Sequence, residues 1–137
     1  MLVDCGATSL TAMKARHLDP GEVNVVVLSH LHGDHFGGLP FLILDGQFTR
    51  RSKPLTVLGP AGTRDRPHQA TEPSTRVGLR PSRFDVHVNE LEGNGRTEHT
   101  GPLEVQSWTV DHASGAPPWP CAPGCARPPS ATPAAPP

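Results

Sequence analysis

Residues 25–38 read VVVLSHLHGDHFGG. Val25, Val26, Val27 and Leu28 form a continuous apolar run in which three of the four residues are β-branched. Such a run, without polar alternation, predicts a strand buried on both faces, as in the interior of a parallel sheet. Directly behind it, His30, His32, Asp34 and His35 crowd into six positions. On extended backbone, residues two apart project to the same side, so His30 and His32 can bind one ion together. Gly33 is expected to let the chain turn sharply, so that Asp34 and His35 face a second ion nearby. Imidazole nitrogen suits zinc, and a carboxylate adds a charged ligand. A loop at the carboxyl end of a strand is where α/β sheets usually place their chemistry. The plain alternative is a solvated polar loop, and four ligand-type side chains in six positions behind such a strand weigh against it.

Working outward, MLVDC at residues 1–5 reads as a short strand ending at Gly6. Thr8 or Ser9 can cap a helix running to about Leu18, with Leu10, Met13 and His17 on one face. LDPGEVN is turn chemistry. After the histidines, GGLPFLILDGQF predicts a buried helix, with Gly37 and Gly38 permitting close backbone approach and Pro40 suited to a first turn. PLTVLGP, residues 54–60, reads as another strand. Strands alternating with helices indicate an α/β pattern. From residue 61 to 81 the pattern fails, with three prolines and almost no apolar periodicity. That segment is expected to be a loop, or a place where a helix has been lost. Phe84, Val86 and Val88 then alternate with polar residues as in a half-buried strand. GNG at 93–95 and TEHTGP at 97–102 look like turns. LEVQSWTV alternates again through Leu103, Val105, Ser107 and Thr109, and runs into Asp111 and His112.

The chain therefore divides into a domain over residues 1–112 and a tail over 113–137. The tail holds nine prolines and seven alanines in 25 residues. It is expected to be disordered or polyproline-like. The whole chain has 137 residues, a net charge of −1, 35% hydrophobic residues and no tyrosine. That length suits one domain with a modest core, and the balanced charge announces no broad nucleic-acid surface. Cys5, Cys121 and Cys125 form no even disulfide framework, which points to a reducing compartment. No signal peptide and no apolar run of membrane-spanning length is visible, so a soluble cytoplasmic protein is expected. Cys121 and Cys125 have a spacing zinc permits, but no second pair accompanies them. Cys5 reads as a small buried residue.

The pattern His-x-His-x-Asp-His, filled by His30, His32, Asp34 and His35, resembles the metallo-β-lactamase superfamily. VDCG at 3–6, the strand VVVLS and GP at 59–60 support the likeness. SHLHGDHFGGLP is most similar to the ribonuclease Z branch and its small phosphodiesterase-like relatives. The resemblance covers residues 1 to about 112. It implies an α/β (α+β) fold, part of a four-layer αββα sandwich holding two metal ions, zinc with manganese as the alternative. It implies that His30, His32 and His112 hold one ion, and that Asp34 and His35 hold the other. His112 follows a strand and precedes a small-residue loop, as the family's third histidine does. Asp34 also takes the catalytic role of orienting the attacking hydroxide. Asp111 is a candidate outer partner. His17, His68, His87 and His99 match no family position and are expected at the surface or in packing.

Family members carry a later bridging aspartate and a last histidine, and residues 113–137 contain no Asp, Glu or His. The family's opening strands are also absent, so the chain is expected to be a fragment incomplete at both ends. The tail is expected to be a frameshifted translation. Relatives continue into a strand such as Leu-Ala-Leu-Arg, and GC-rich codons for it, read one base later, give Trp-Pro-Cys-Ala, the sequence of Trp119, Pro120, Cys121 and Ala122. A natural proline-rich linker is the alternative. Strands ending at Ser29 and His112 are expected to lack neighbours and to invite association into oligomers or aggregates. The functional expectation is a metal-dependent hydrolase acting on a small-molecule or nucleic-acid phosphodiester, weak or inactive as this chain. The alternative is a non-catalytic metal-binding remnant or an interaction protein.

Overall fold

The computed structural model describes residues 1–75 and 83–111. His112, the Pro/Ala-rich tail and the frameshift expectation attached to it lie outside the described residues. The chain runs β1 (Leu2–Val3), α1 (Ser9–Ala15), a single 3-10 turn (Pro20–Glu22), β2 (Val25–Val27), α2 (Gly33–Phe36), α3 (Leu39–Phe48), β3 (Leu55–Gly59), α4 (Arg66–Thr75), β4 (Val86–Glu90), β5 (Asn94–Thr100) and β6 (Leu103–Trp108). Strands β1 to β4 form one parallel sheet in sequential order, with Val26 paired to Leu2 on one side and to Val57 on the other. Strands β5 and β6 form an antiparallel hairpin.

The valine run is buried on both faces, as its lack of alternation predicts. Val26 and Leu28 point into a cluster with Met13 of α1, Phe36 of α2, and Leu39, Leu42 and Ile43 of α3. Val25 and Val27 point the other way, into a second cluster with Leu58, Leu91 and Val105 of the hairpin. The described residues therefore make three layers, helices on the parallel sheet and the hairpin on its opposite face. This α/β arrangement matches three layers of the expected αββα sandwich. Strand β2, expected to lack neighbours, is instead internal to the sheet and flanked by β1 and β3. No helix among the described residues is long and apolar enough to cross a membrane.

Four local readings differ from the sequence expectation. Helix α1 stops at Ala15, and His17 lies beyond it at φ 57° rather than on its face. The Leu18 N–H donates to the Met13 carbonyl and the His17 N–H to the Lys14 carbonyl. Those two bonds are a Schellman closure with His17 in the left-handed position. Thr8 occupies the N-cap without a side-chain capping bond. Helix α3 is not wholly buried, since Phe41 and Phe48 are exposed. The segment after residue 61, expected to be irregular, contains α4, which sits beside α3. Pro67 takes its second position, where a missing N–H costs nothing. Finally, residues 94–100 form strand β5. The chain bends at Gly93 (φ 68°) and reverses between β5 and β6 at Gly101 and Pro102, the end of TEHTGP, where Gly101 has φ 56°. Glycine in the first central position suits a type II′ hairpin.

Arg51 locks the base of the sheet. It is buried, its guanidinium lies 5.2 Å from the Phe84 ring centroid, and it donates to the carbonyls of Lys53 (2.7 Å), Val23 (2.7 Å), Pro54 (2.9 Å) and Pro20 (3.3 Å). One cation thus satisfies loop carbonyls from the entries to both β2 and β3, which would otherwise be desolvated without partners.

Candidate metal centre

The parallel register sets the site. Because Val3 pairs with Val27, the residues following β1 and β2 emerge side by side at the carboxyl edge of the sheet. The Asp4 N–H donates to the Val27 carbonyl (2.8 Å), which carries the Asp4 carboxylate to Ser29. The Cys5 N–H donates to the His35 carbonyl (2.6 Å), and the Gly38 N–H to the Cys5 carbonyl (2.7 Å). VDCG and the segment 34–38 are therefore stitched backbone to backbone. A Cβ on Gly6 would collide with the Asp34 carbonyl, and one on Gly38 with the Gly6 and Cys5 carbonyls. These two glycines are required by close approach.

The ligand-type residues follow in two steps. Beyond β2 the Leu28 N–H still donates to the Leu58 carbonyl (2.7 Å), and the chain then bends at Ser29. His32, with extended backbone at φ −78° and ψ 148°, is the N-cap of α2, and its carbonyl accepts from the N–H groups of His35 and Phe36. Gly33, expected to supply a sharp turn, begins this helical turn without a positive φ, and a Cβ there meets open space. The reversal that brings Asp34 and His35 round comes from the helix itself.

The side chains meet as two pairs. His30 Nε2 lies 3.1 Å from His32 Nδ1. His35 Nε2 lies 3.5 Å from Asp34 Oδ2. Two donors each ~2.1 Å from one tetrahedral ion stand about 3.4 Å apart, so both pairs have the span of two ligands sharing an ion. The pairs are neighbours, since the His30 and His35 ring centroids are 3.9 Å apart. Among the described residues, no group of three or more His, Cys, Asp or Glu side chains is arranged to hold an ion. The donor chemistry and spans fit a metal two ligands at a time. His30 is 8% exposed, while the Asp34 side chain is 79% exposed and faces solvent.

Asp4 and Ser29 lie beneath both pairs, and sequence reasoning did not single them out. Asp4 Oδ1 accepts from the Ser29 N–H (2.8 Å) and hydroxyl (2.9 Å), and Asp4 Oδ2 lies 2.7 Å from His35 Nδ1. Ser29 Oγ also lies 3.0 Å from His30 Nδ1. A carboxylate bonded to the far nitrogen of a metal-binding histidine orients the ring and raises its basicity. The only trace of this in the sequence is VDCG, 25 residues before Ser29.

The remaining candidates lie elsewhere. Asp111 is exposed at the end of the described chain. His17, His68, His87 and His99 are all exposed, and His99 Nδ1 is 3.9 Å from a Glu104 oxygen across the hairpin. Cys5 is fully buried. Burial pushes its thiol up to about 11, the Asp4 charge adds to the rise, and a hydrogen bond with Ser9 opposes it.

The chain is similar to known proteins in sequence and in fold. A family model described as anti-Pycsar protein Apyc1 matches residues 1–65. Ribonuclease Z of Thermococcus kodakarensis is 34% identical over 112 residues, covering 82% of this chain and 34% of the relative. Ribonuclease BN of Citrobacter koseri is 30% identical over 111 residues, covering 81% and 35%. The chain thus spans about a third of the length of these curated relatives. The short form of human tRNase Z superposes with a TM-score of 0.65 at 23% identity, over 85% of this chain and 51% of that one. A metallo-β-lactamase fold protein of Bacillus subtilis superposes with a TM-score of 0.58 at 19% identity, over 81% and 40%. By sequence the chain is similar to ribonuclease Z and ribonuclease BN over about four fifths of its length, and its fold is that of metallo-β-lactamase-fold proteins.

Proposed function

We propose that this chain contributes the first ligands of a metal-dependent phosphodiester hydrolase of the ribonuclease Z type. The observation that carries the proposal is the pair of two-ligand spans, His30 with His32 and Asp34 with His35, side by side at the carboxyl edge of a parallel sheet. In this reading His30, His32 and His112 hold one zinc ion, Asp34 and His35 hold the other, and manganese is the alternative metal. Bound ions of this kind lower the pKa of a coordinated water toward ~7 and polarise a phosphoryl oxygen. The chain's own residues do the rest. The buried His30 holds its ring against the sheet. The exposed carboxylate of Asp34 can also accept a hydrogen bond from the attacking water, fixing its direction. Similarity to ribonuclease Z favours an RNA phosphodiester, although a net charge of −1 supplies little of the phosphate neutralisation that tight RNA binding uses. The proposal includes a cytoplasmic location. It also includes association through β6, whose outer edge pairs with no other strand among the described residues.

A non-catalytic metal-binding role is the second reading. It is favoured by the lack of any three-ligand group among the described residues. Zinc calorimetry on the chain and on a His30→Ala, His32→Ala double variant tests the shared premise. Equal affinity in both would overturn it. Hydrolysis of bis(p-nitrophenyl) phosphate with zinc or manganese separates the readings. Low but chelator-sensitive turnover, abolished by Asp34→Ala, supports the hydrolase. Zinc binding without any turnover supports the binding role.

A further inference from the structure

We infer that Ser29 is a positioning residue that sets the tautomer of His30 and shares one proton network with His35, so that both ligand pairs depend on a single hydroxyl. The inference rests on the metal-site reading above, and it follows from counting protons.

The Asp4 carboxylate can only accept. It receives the Ser29 N–H at 2.8 Å, and its two oxygens lie 2.9 and 3.0 Å from Ser29 Oγ. The hydroxyl has one proton, and a carboxylate is the strongest acceptor within its reach. The proton therefore points at Asp4, which leaves Ser29 Oγ with lone pairs only. His30 Nδ1, 3.0 Å away, must then be the donor, and the lone pair of that ring lies on Nε2. Nε2 is the atom facing His32 at 3.1 Å. The same carboxylate takes the His35 Nδ1–H at 2.7 Å, which leaves the His35 lone pair on Nε2 as well, facing Asp34. Ser29 Oγ lies 3.4 Å from that His35 nitrogen too, at the edge of the same network. One histidine of each pair is thus turned with its unprotonated nitrogen toward its partner. Ser29 acts on His30 directly and on His35 by holding the Asp4 carboxylate in place.

Neither histidine needs a metal for this arrangement, so the test does not need one either. The chain labelled with nitrogen-15 in histidine, at a pH of ~8.5 where neutral imidazole predominates, is read by long-range proton–nitrogen correlation. The expected result is His30 and His35 both protonated on Nδ1. In Ser29→Ala, His30 should shift toward the Nε2-protonated form, while Ser29→Thr, which keeps the hydroxyl, should restore the parent pattern. Zinc affinity should fall about tenfold in Ser29→Ala and recover in Ser29→Thr, within the range seen when an outer partner of a metal ligand is removed. A parent chain with His30 protonated on Nε2 would overturn the inference without any variant. So would a folded Ser29→Ala chain with an unchanged His30 tautomer. Should the tautomers behave as expected and neither parent nor variant bind zinc, the network stands and the metal-site reading falls.

Discussion

Exchanging Asp4 for asparagine should cost zinc binding far more than it costs folding. The two residues have nearly the same shape, and asparagine tolerates the left-handed backbone that Asp4 adopts at φ 57°. The asparagine carbonyl can take over both bonds from Ser29. The amide nitrogen, however, would face His35 Nδ1 across the 2.7 Å now spanned by a donor and a carboxylate. Two donors cannot share that contact, so the imidazole must move its proton to Nε2. There it points at Asp34 Oδ2, 3.5 Å away, as a donor rather than a ligand. Folding loses one charge-assisted hydrogen bond and regains a neutral one, a difference of ~1 kcal/mol. Zinc binding should weaken by about 10–100-fold, or ~1.4–2.7 kcal/mol. Calorimetric titration of zinc, beside urea unfolding of the same samples and with His35→Ala as control, separates the two quantities. Parent-like zinc affinity in Asp4→Asn, with a clear loss in His35→Ala, would refute the claim that the carboxylate fixes the ring.

Three further outcomes are expected. Gly38→Ala should destabilise the chain by ~3 kcal/mol, the upper end of overpacking costs, because its Cβ would meet the Gly6 carbonyl; unfolding midpoints compared with Gly33→Ala, where space is open, would expose the error if the two variants match. Arg51→Ala should cost about 3 kcal/mol, and Arg51→Lys should recover little, because a point charge cannot satisfy carbonyls spread over several segments; equal stability of parent and Arg51→Lys in urea would count against the fork geometry. The Cys5 thiol titrates at about 11 in the folded chain against 9.0 ordinarily, so its folded value is the higher one. Its contribution is then complete below pH ~9 and lost as pH rises through ~11, an amount of about 2–3 kcal/mol. Stability measured from pH 8 to 11 should decline more steeply in the parent than in Cys5→Ala, and parallel curves would contradict it.

The parts of the fold legible in the sequence are those whose burial is periodic. Val25 to Leu28 are buried on both sides and Leu103 to Ser107 on alternate sides, and each pattern gave its strand. Strand β5 had no such signal, because NGRTEHT is exposed along nearly its whole length and is held by backbone pairing to β6. Helix α4 was hidden by Pro67 and Pro73, of which only Pro67 lies in the first turn, where a proline is readily tolerated. His30, His32, Asp34 and His35 were legible as a cluster because they are local. Asp4 and Ser29 were not, because only the parallel register of β1 on β2 brings them together. A contact between residues 25 positions apart leaves no mark in local spacing.

The alternating residues of β2 divide the interior into two separately packed clusters. Among the described residues, twelve buried ones lie on the helical side and five on the hairpin side. Local opening follows the smaller buried surface, so the hairpin β5–β6 should be able to peel away while the helices stay seated. The histidines are tied to the helical side, through β1, α2 and the Gly6–Gly38 contact. Amide exchange of Cys5, Leu28 and Gly38 should therefore share one slow opening event with the sheet, while Glu98 and Val105 exchange through an earlier and cheaper one. In this molecule the ligand loop belongs to the last unit to melt, and the wall behind it belongs to the first.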